Sequence, residues 1–130
     1  MNAAHVAVVD DEAPVSTALR RLLQLADYEV TVFASGDEFL ESLAVRRPDC
    51  VLLDVHMPGL TGFDVQATMR DSAVDVPVVF ITASDDPGID ATALRVGCVR
   101  LLRKPFSNDS LLAAVWAALQ SGPAEPTQHE

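Results

Sequence analysis

Along the chain, short stretches apolar at nearly every position alternate with stretches in which apolar residues return every three or four positions. His5 to Val9 is of the first kind, and Val15, Leu19, Leu22, Leu23 and Ala26 follow at helical spacing. Tyr28 to Phe33 alternates around β-branched residues and predicts a second strand. Ser35 stands where it can cap a helix carrying Phe39, Leu40 and Leu43, with Pro48 beyond its end. Cys50 to Leu53 is apolar throughout and stops at Asp54, the pattern of a central parallel strand covered on both faces. The turn-rich MPGLTG follows, then a helix over Phe63 to Arg70 and a fourth buried strand over Pro77 to Thr82. Asp90 to Val96 predicts a less strongly patterned helix ended by Gly97, its start delayed by Pro87 and Gly88 in the acidic loop SDDPG. Val99 to Arg103 predicts the last strand. Ser107 then caps a helix with Leu111, Leu112, Val115, Trp116 and Leu119 on one apolar face, which makes Trp116 a core residue.

Five strands alternating with five helices imply one α/β domain over residues 1–121, with a parallel sheet between two layers of helices. Residues 122–130, GPAEPTQHE, break the pattern and are expected to form a disordered tail or a linker stub. Two strand orders suit such a chain. In the flavodoxin-like order 2-1-3-4-5, a (βα)5 three-layer sandwich, the ligand crevice lies outside the carboxyl ends of strands 1 and 3. Asp10 and Asp11 leave strand 1, Asp54 ends strand 3, Thr82 ends strand 4 and Lys104 follows strand 5, so this order gathers all five on one rim.

Composition narrows what that rim can serve. A formal net charge of -10 would repel a nucleic-acid backbone or an anionic membrane, and Arg100, Arg103 and Lys104 are too few to reverse it. The apolar stretch at the N-terminus meets the aspartates too soon for a signal peptide, and Leu111 to Leu119 falls far short of a membrane span. A cytoplasmic location is expected, without direct nucleic-acid or membrane binding. Cys50 and Cys98 have neither C-x-x-C nor His-paired spacing and are expected to be reduced core thiols.

Three crowded carboxylates raise one another's pKa unless a cation reverses the local field. Magnesium, a hard ion that takes oxygen ligands and keeps several waters, suits Asp10, Asp11 and Asp54; manganese is a possible substitute. A carboxylate is also a nucleophile for phosphoryl transfer, giving an acyl phosphate. Lys104 offers a mobile charge and Thr82 a hydroxyl donor to the phosphoryl oxygens. Taken singly, each residue has a plainer explanation: Asp10 or Asp11 as a helix cap, Asp54 as a turn former, Thr82 as a strand residue, Lys104 as solvated surface. Their joint placement at four strand ends favours the phosphoryl-transfer set.

The segments VVDDE, LLDVHMPGLTG, FITAS and LLRKPF resemble the successive motifs of response-regulator receiver domains of two-component signalling, from about His5 to Leu119. Their wording is most similar to the receivers of nitrogen-fixation and nodulation-type regulators. The resemblance implies that Asp54 is the phosphoacceptor, fed by a sensor histidine kinase or a histidine phosphotransfer protein. It implies that Asp10 and Asp11 serve magnesium, that the His56 backbone carbonyl completes the metal shell, and that Thr82 and Lys104 contact the phosphoryl group. It implies that Pro105 follows a cis peptide, and that His56 and Ser84 tune hydrolysis of the acyl phosphate. A homodimer through helix 4, strand 5 and helix 5 is a further implication. Leu101 departs from the pattern, because it stands where the family usually carries the Tyr or Phe of its output switch.

Apolar residues beside the acidic rim, Pro14, Val15 and Ala18, suggest where a kinase docks; inward packing of Val15 explains that residue equally well. Four functional readings stand. The chain is a receiver acting alone or within a phosphorelay, promoting its own phosphorylation and dephosphorylation without being a turnover enzyme. Alternatively it is the receiver half of a DNA-binding transcription regulator cut before its output domain. A haloacid dehalogenase-type phosphohydrolase is more remote, since that family places an aspartate where this chain has His56. A receiver-like module that is never phosphorylated would have lost part of the acidic site, and none is lost here.

Overall fold

The structure, a computed structural model, describes residues 3–121; the tail expected over 122–130 lies outside them. Ten elements alternate: β1 (His5–Val9), α1 (Ala13–Leu25), β2 (Glu29–Phe33), α2 (Gly36–Ser42), β3 (Cys50–Asp54), α3 (Gly62–Asp71), β4 (Val78–Thr82), α4 (Pro87–Val96), β5 (Arg100–Arg103) and α5 (Asn108–Ser121). The five strands form one parallel sheet in the order β2-β1-β3-β4-β5. This is the flavodoxin-like arrangement expected from the sequence.

Every residue of β1, β3 and β4 is buried, as continuous apolar runs in a doubly covered sheet require. The period of two sends alternate residues to opposite layers. Ala7, Val9, Val51, Leu53, Val78 and Phe80 face Phe39 of α2, Val65 and Met69 of α3 and Ala93 of α4. Val6, Val8, Cys50, Leu52, Val79 and Ile81 face Leu19 and Leu23 of α1 and Leu111, Val115 and Ala118 of α5. Cys50 is fully buried, and Cys98 is only half-buried beside the first cluster.

Apart from α1, the helices start on a side-chain cap. Ser35 Oγ accepts from Glu38 N–H at 3.1 Å, and Ser107 Oγ accepts from Ser110 N–H at 3.0 Å. Thr61 and Asp64 cap α3 reciprocally, each side chain accepting from the other's backbone N–H. α4 begins at Pro87, three residues before the expected start. Proline suits the first helical position because its missing N–H would have no partner there, and Asp86 Oδ1 accepts from Gly88 N–H at 2.9 Å.

Trp116 corrects the expectation that it is core: it is 60% exposed. α5 buries the narrow stripe Leu111, Ala114, Val115 and Ala118, and the position one residue past Val115 is turned about 100° out of that stripe.

Candidate functional site

The parallel register aligns the carboxyl ends of the central strands. Asp54 pairs with Ile81, and Thr82 pairs with Arg103, so the last residues of β3, β4 and β5 share one rim with Asp10, which follows β1. Carboxylate oxygens of Asp10, Asp11 and Asp54 all lie within 4.8 Å of one another; Asp10 and Asp54 are buried and Asp11 is exposed at the mouth.

Each buried carboxylate is only partly compensated. Asp10 Oδ1 accepts from Glu12 N–H at 2.9 Å, while Oδ2 is buried without a hydrogen bond and faces Lys104 Nζ at 3.7 Å. Asp54 Oδ1 accepts from His56 N–H at 3.2 Å. Burial, and then the charge of Asp10, push the Asp54 carboxyl up to about 6 against the pull of the His56 N–H and Lys104. Burial raises Asp10 as well, opposed by the Glu12 N–H and Lys104. An oxygen donor set with one buried, unbonded oxygen fits a hard divalent cation such as magnesium.

Thr82 is fully buried, with its hydroxyl at the end of β4. Its Oγ1 accepts from Ser84 N–H at 3.0 Å and lies 3.1 Å from His56 Nε2, a bond whose direction the ring tautomer sets. Lys104 is held by its backbone, whose N–H donates to Thr82 O at 2.8 Å, and its Nζ lies 3.7 Å from Asp10 and 3.8 Å from Glu12. The Lys104–Pro105 peptide is cis. Ser84 Oγ accepts from Asp86 N–H at 3.1 Å, tying the loop after Thr82 together. Leu101 is half-buried against the cluster that holds Phe80 and Ala93.

The structure therefore brings Asp10, Asp11, Asp54, His56, Thr82, Ser84 and Lys104 together. Pro14, Val15 and Ala18 sit apart, on a groove that continues along α1 to Leu22 and Leu25 and reaches Phe106 across the sheet end. Three contributors escape a reading by residue type. Glu12 shares Lys104 with Asp10. Arg103 donates to Ser84 O at 2.8 Å and binds the Asp90 carboxylate. Gly62 packs so closely under β3 that a Cβ there would lie 2.5 Å from Asp54 O, and its N–H donates to Val55 O at 3.0 Å. The second glycine of MPGLTG was the available signal for that approach.

Comparison with known proteins matches this arrangement. The family model described as the response regulator receiver domain covers residues 6–116. The transcriptional regulatory protein FixJ of Bradyrhizobium diazoefficiens is 34% identical over 122 residues, which span 94% of this chain and 58% of that protein. Nodulation protein W of the same organism is 36% identical over 117 residues, 90% of this chain and 52% of that protein. The crystal structure of a response regulator receiver protein from Burkholderia phymatum superposes with a TM-score of 0.80 at 46% identity, covering 95% of this chain and 98% of the other. The chain spans about half the length of the curated relatives it matches. With the matched segment running from β1 into α5, across the whole sheet and its carboxylate rim, the chain belongs to the response regulator receiver domain family of two-component signalling.

Proposed function

We propose that this receiver takes a phosphoryl group onto Asp54 from a phosphohistidine of a sensor kinase or a phosphotransfer protein. The observation that carries the reading is the rim: a buried carboxylate at the end of β3, flanked by two more, at the strand ends that also carry the Thr82 hydroxyl and the Lys104 ammonium, the latter 3.7 Å from Asp10. In the transfer, an Asp54 oxygen forms the new P–O bond as the P–N bond to the donor imidazole breaks, and the imidazole leaves with the electron pair and takes up a proton. A divalent cation held by Asp10, Asp11 and Asp54, with the His56 backbone carbonyl, supplies charge neutralisation for the incoming phosphoryl group; magnesium fits this role and manganese can replace it. Lys104 and Thr82 turn to the phosphoryl oxygens, the one as a charge and the other as a hydroxyl donor. His56 and Ser84, both bonded to Thr82 Oγ1, are placed to set how long the acyl phosphate survives attack by water.

The groove that includes Pro14, Val15 and Ala18 is where we place the phosphodonor's docking surface, and a homodimer would use α4, β5 and α5. The reading assigns the chain a signalling role in the cytoplasm, not turnover of a substrate. Among the described residues no helix is long and apolar enough to cross a membrane. Because the chain spans only 58% of a relative named a transcriptional regulatory protein, a receiver half of such a regulator is the second reading; it leaves the chemistry at Asp54 unchanged.

Incubation with acetyl phosphate and magnesium tests the assignment by intact mass. One added phosphoryl group is expected on the unmutated chain, none on Asp54→Asn, and none when a chelator is present. Labelling of the Asn variant at the parent's level would overturn it.

A further inference from the structure

We propose that Arg103 is the relay by which the phosphorylated rim acts on α4; the proposal rests on the reading of Asp54 as phosphoacceptor. Arg103 lies directly across from Thr82 in the β4–β5 pairing, and it stands two residues after Leu101, on the same face of β5. Leu101 packs among apolar side chains and has no polar atom with which to bond the loop after Thr82. Arg103 bonds that loop at two points. Its Nε donates to Ser84 O at 2.8 Å and its Nη2 to Asp86 O at 3.3 Å. The other face of the guanidinium fork grips α4: Nη1 donates to Asp90 Oδ2 at 3.1 Å, and Nη2 to Asp90 Oδ1. One planar cation thus joins β5, the β4–α4 loop and the first turn of α4.

The loop side of this clamp depends on Thr82. Ser84 N–H donates to Thr82 Oγ1, and Asp86 N–H donates to Ser84 Oγ, so Thr82, Ser84 and Asp86 form one bonded chain that ends on Arg103. When the Thr82 hydroxyl turns toward a phosphoryl group on Asp54, Ser84 N–H loses its acceptor. Ser84 O and Asp86 O then shift with the loop, and the guanidinium keeps Asp90 as its remaining strong partner. The first turn of α4, whose cap Asp86 belongs to the shifting loop, is loosened from that loop while Asp90 stays tied to Arg103, so the turn follows the guanidinium. A ligand shifts such an equilibrium only through bonds that differ between the two states, and the Arg103 bonds to Ser84 and Asp86 are of that kind.

The test compares the full chain with Arg103→Gln, Arg103→Lys and Asp90→Asn. Each is first labelled with acetyl phosphate and magnesium and weighed. Amide exchange over residues 84–96 is then followed with and without beryllofluoride, a phosphoryl mimic. All four proteins should take one phosphoryl group. In the unmutated chain the mimic should raise exchange over the first turn of α4 by about tenfold, the size expected of a changed local opening equilibrium. Arg103→Gln and Arg103→Lys, which lack the fork, should lose most of that increase. Asp90→Asn should keep the response of the loop at Ser84 and lose that of α4. A ligand-dependent increase as large in both Arg103 variants as in the parent overturns the relay, as does an unmutated α4 that ignores the mimic. Failure of the unmutated chain to take up the phosphoryl group overturns the reading of Asp54 itself, and the relay falls with it.

Discussion

At the scale of single residues, Asp54 is one of the two buried carboxylates that shape the pH response of the metal-free protein. Its carboxyl ordinarily titrates at 3.8 and is pushed up to about 6 in the fold. The folded chain therefore holds a proton that the unfolded chain has released, and the stability tied to that proton is full below 3.8 and lost as pH rises through about 6. In chelator, Asp54→Asn should melt above the parent near neutral pH, and the gap should close by about pH 4. Melts of both proteins across that range check this; an Asn variant that melts lower at neutral pH would contradict the crowding of the rim. Much of this site was legible in the sequence, because Asp10, Asp54 and Thr82 each stand where an apolar run ends and Lys104 follows the last strand. What escaped was carried by the backbone. Arg103 makes two of its bonds to main-chain carbonyls, and Gly62 matters for the atom it lacks; neither leaves a periodic trace.

Among the elements, the helix ends that the sequence marks with glycine or proline were the readable ones. α1 and α3 end in the same hydrogen-bonded motif without a glycine. Asp27 and Ala73 take positive φ of 71° and 57°, with Tyr28 N–H donating to Leu23 O and Val74 N–H to Met69 O. Ala73 bears the steric cost of that conformation, so Ala73→Gly should stabilise the protein by about 0.5–1 kcal/mol, measured by urea unfolding at constant m. An unchanged or lower midpoint would show that the added freedom of the unfolded chain outweighs the relieved strain. The apolar stripe of α5 was read one residue too wide, since a tryptophan at the edge of a stripe looks like core until its neighbours are known. Trp116→Ala should accordingly cost less than about 1 kcal/mol, whereas Phe80→Ala, which empties a fully buried position against Phe63, should cost about 3–5 kcal/mol. Equal losses in the two variants would contradict the exposure of Trp116.

For the molecule as a whole, the fold was the most legible level, because three buried runs and two less buried strand patterns, separated by helical patterns, leave few ways to cover a parallel sheet on both faces. The sheet also separates its two cysteines by what must open to reach them. Cys50 lies in β3, hydrogen-bonded between β1 and β4, and burial pushes its thiol up to about 12; Cys98 is raised too, but is half-buried in the turn before β5. Only the thiolate reacts with an alkylating or disulfide reagent, so a thiol this deep waits for the strands to part. Native-state labelling should therefore run in two phases, with Cys98 modified first through local opening and Cys50 at the rate of global unfolding. Single-phase modification of both thiols, or a faster Cys50, would refute this order. The slow phase is a stability measurement needing no denaturant: any ion that binds the carboxylate rim of the folded chain alone should slow modification of Cys50 by the same factor by which it shifts the folding equilibrium.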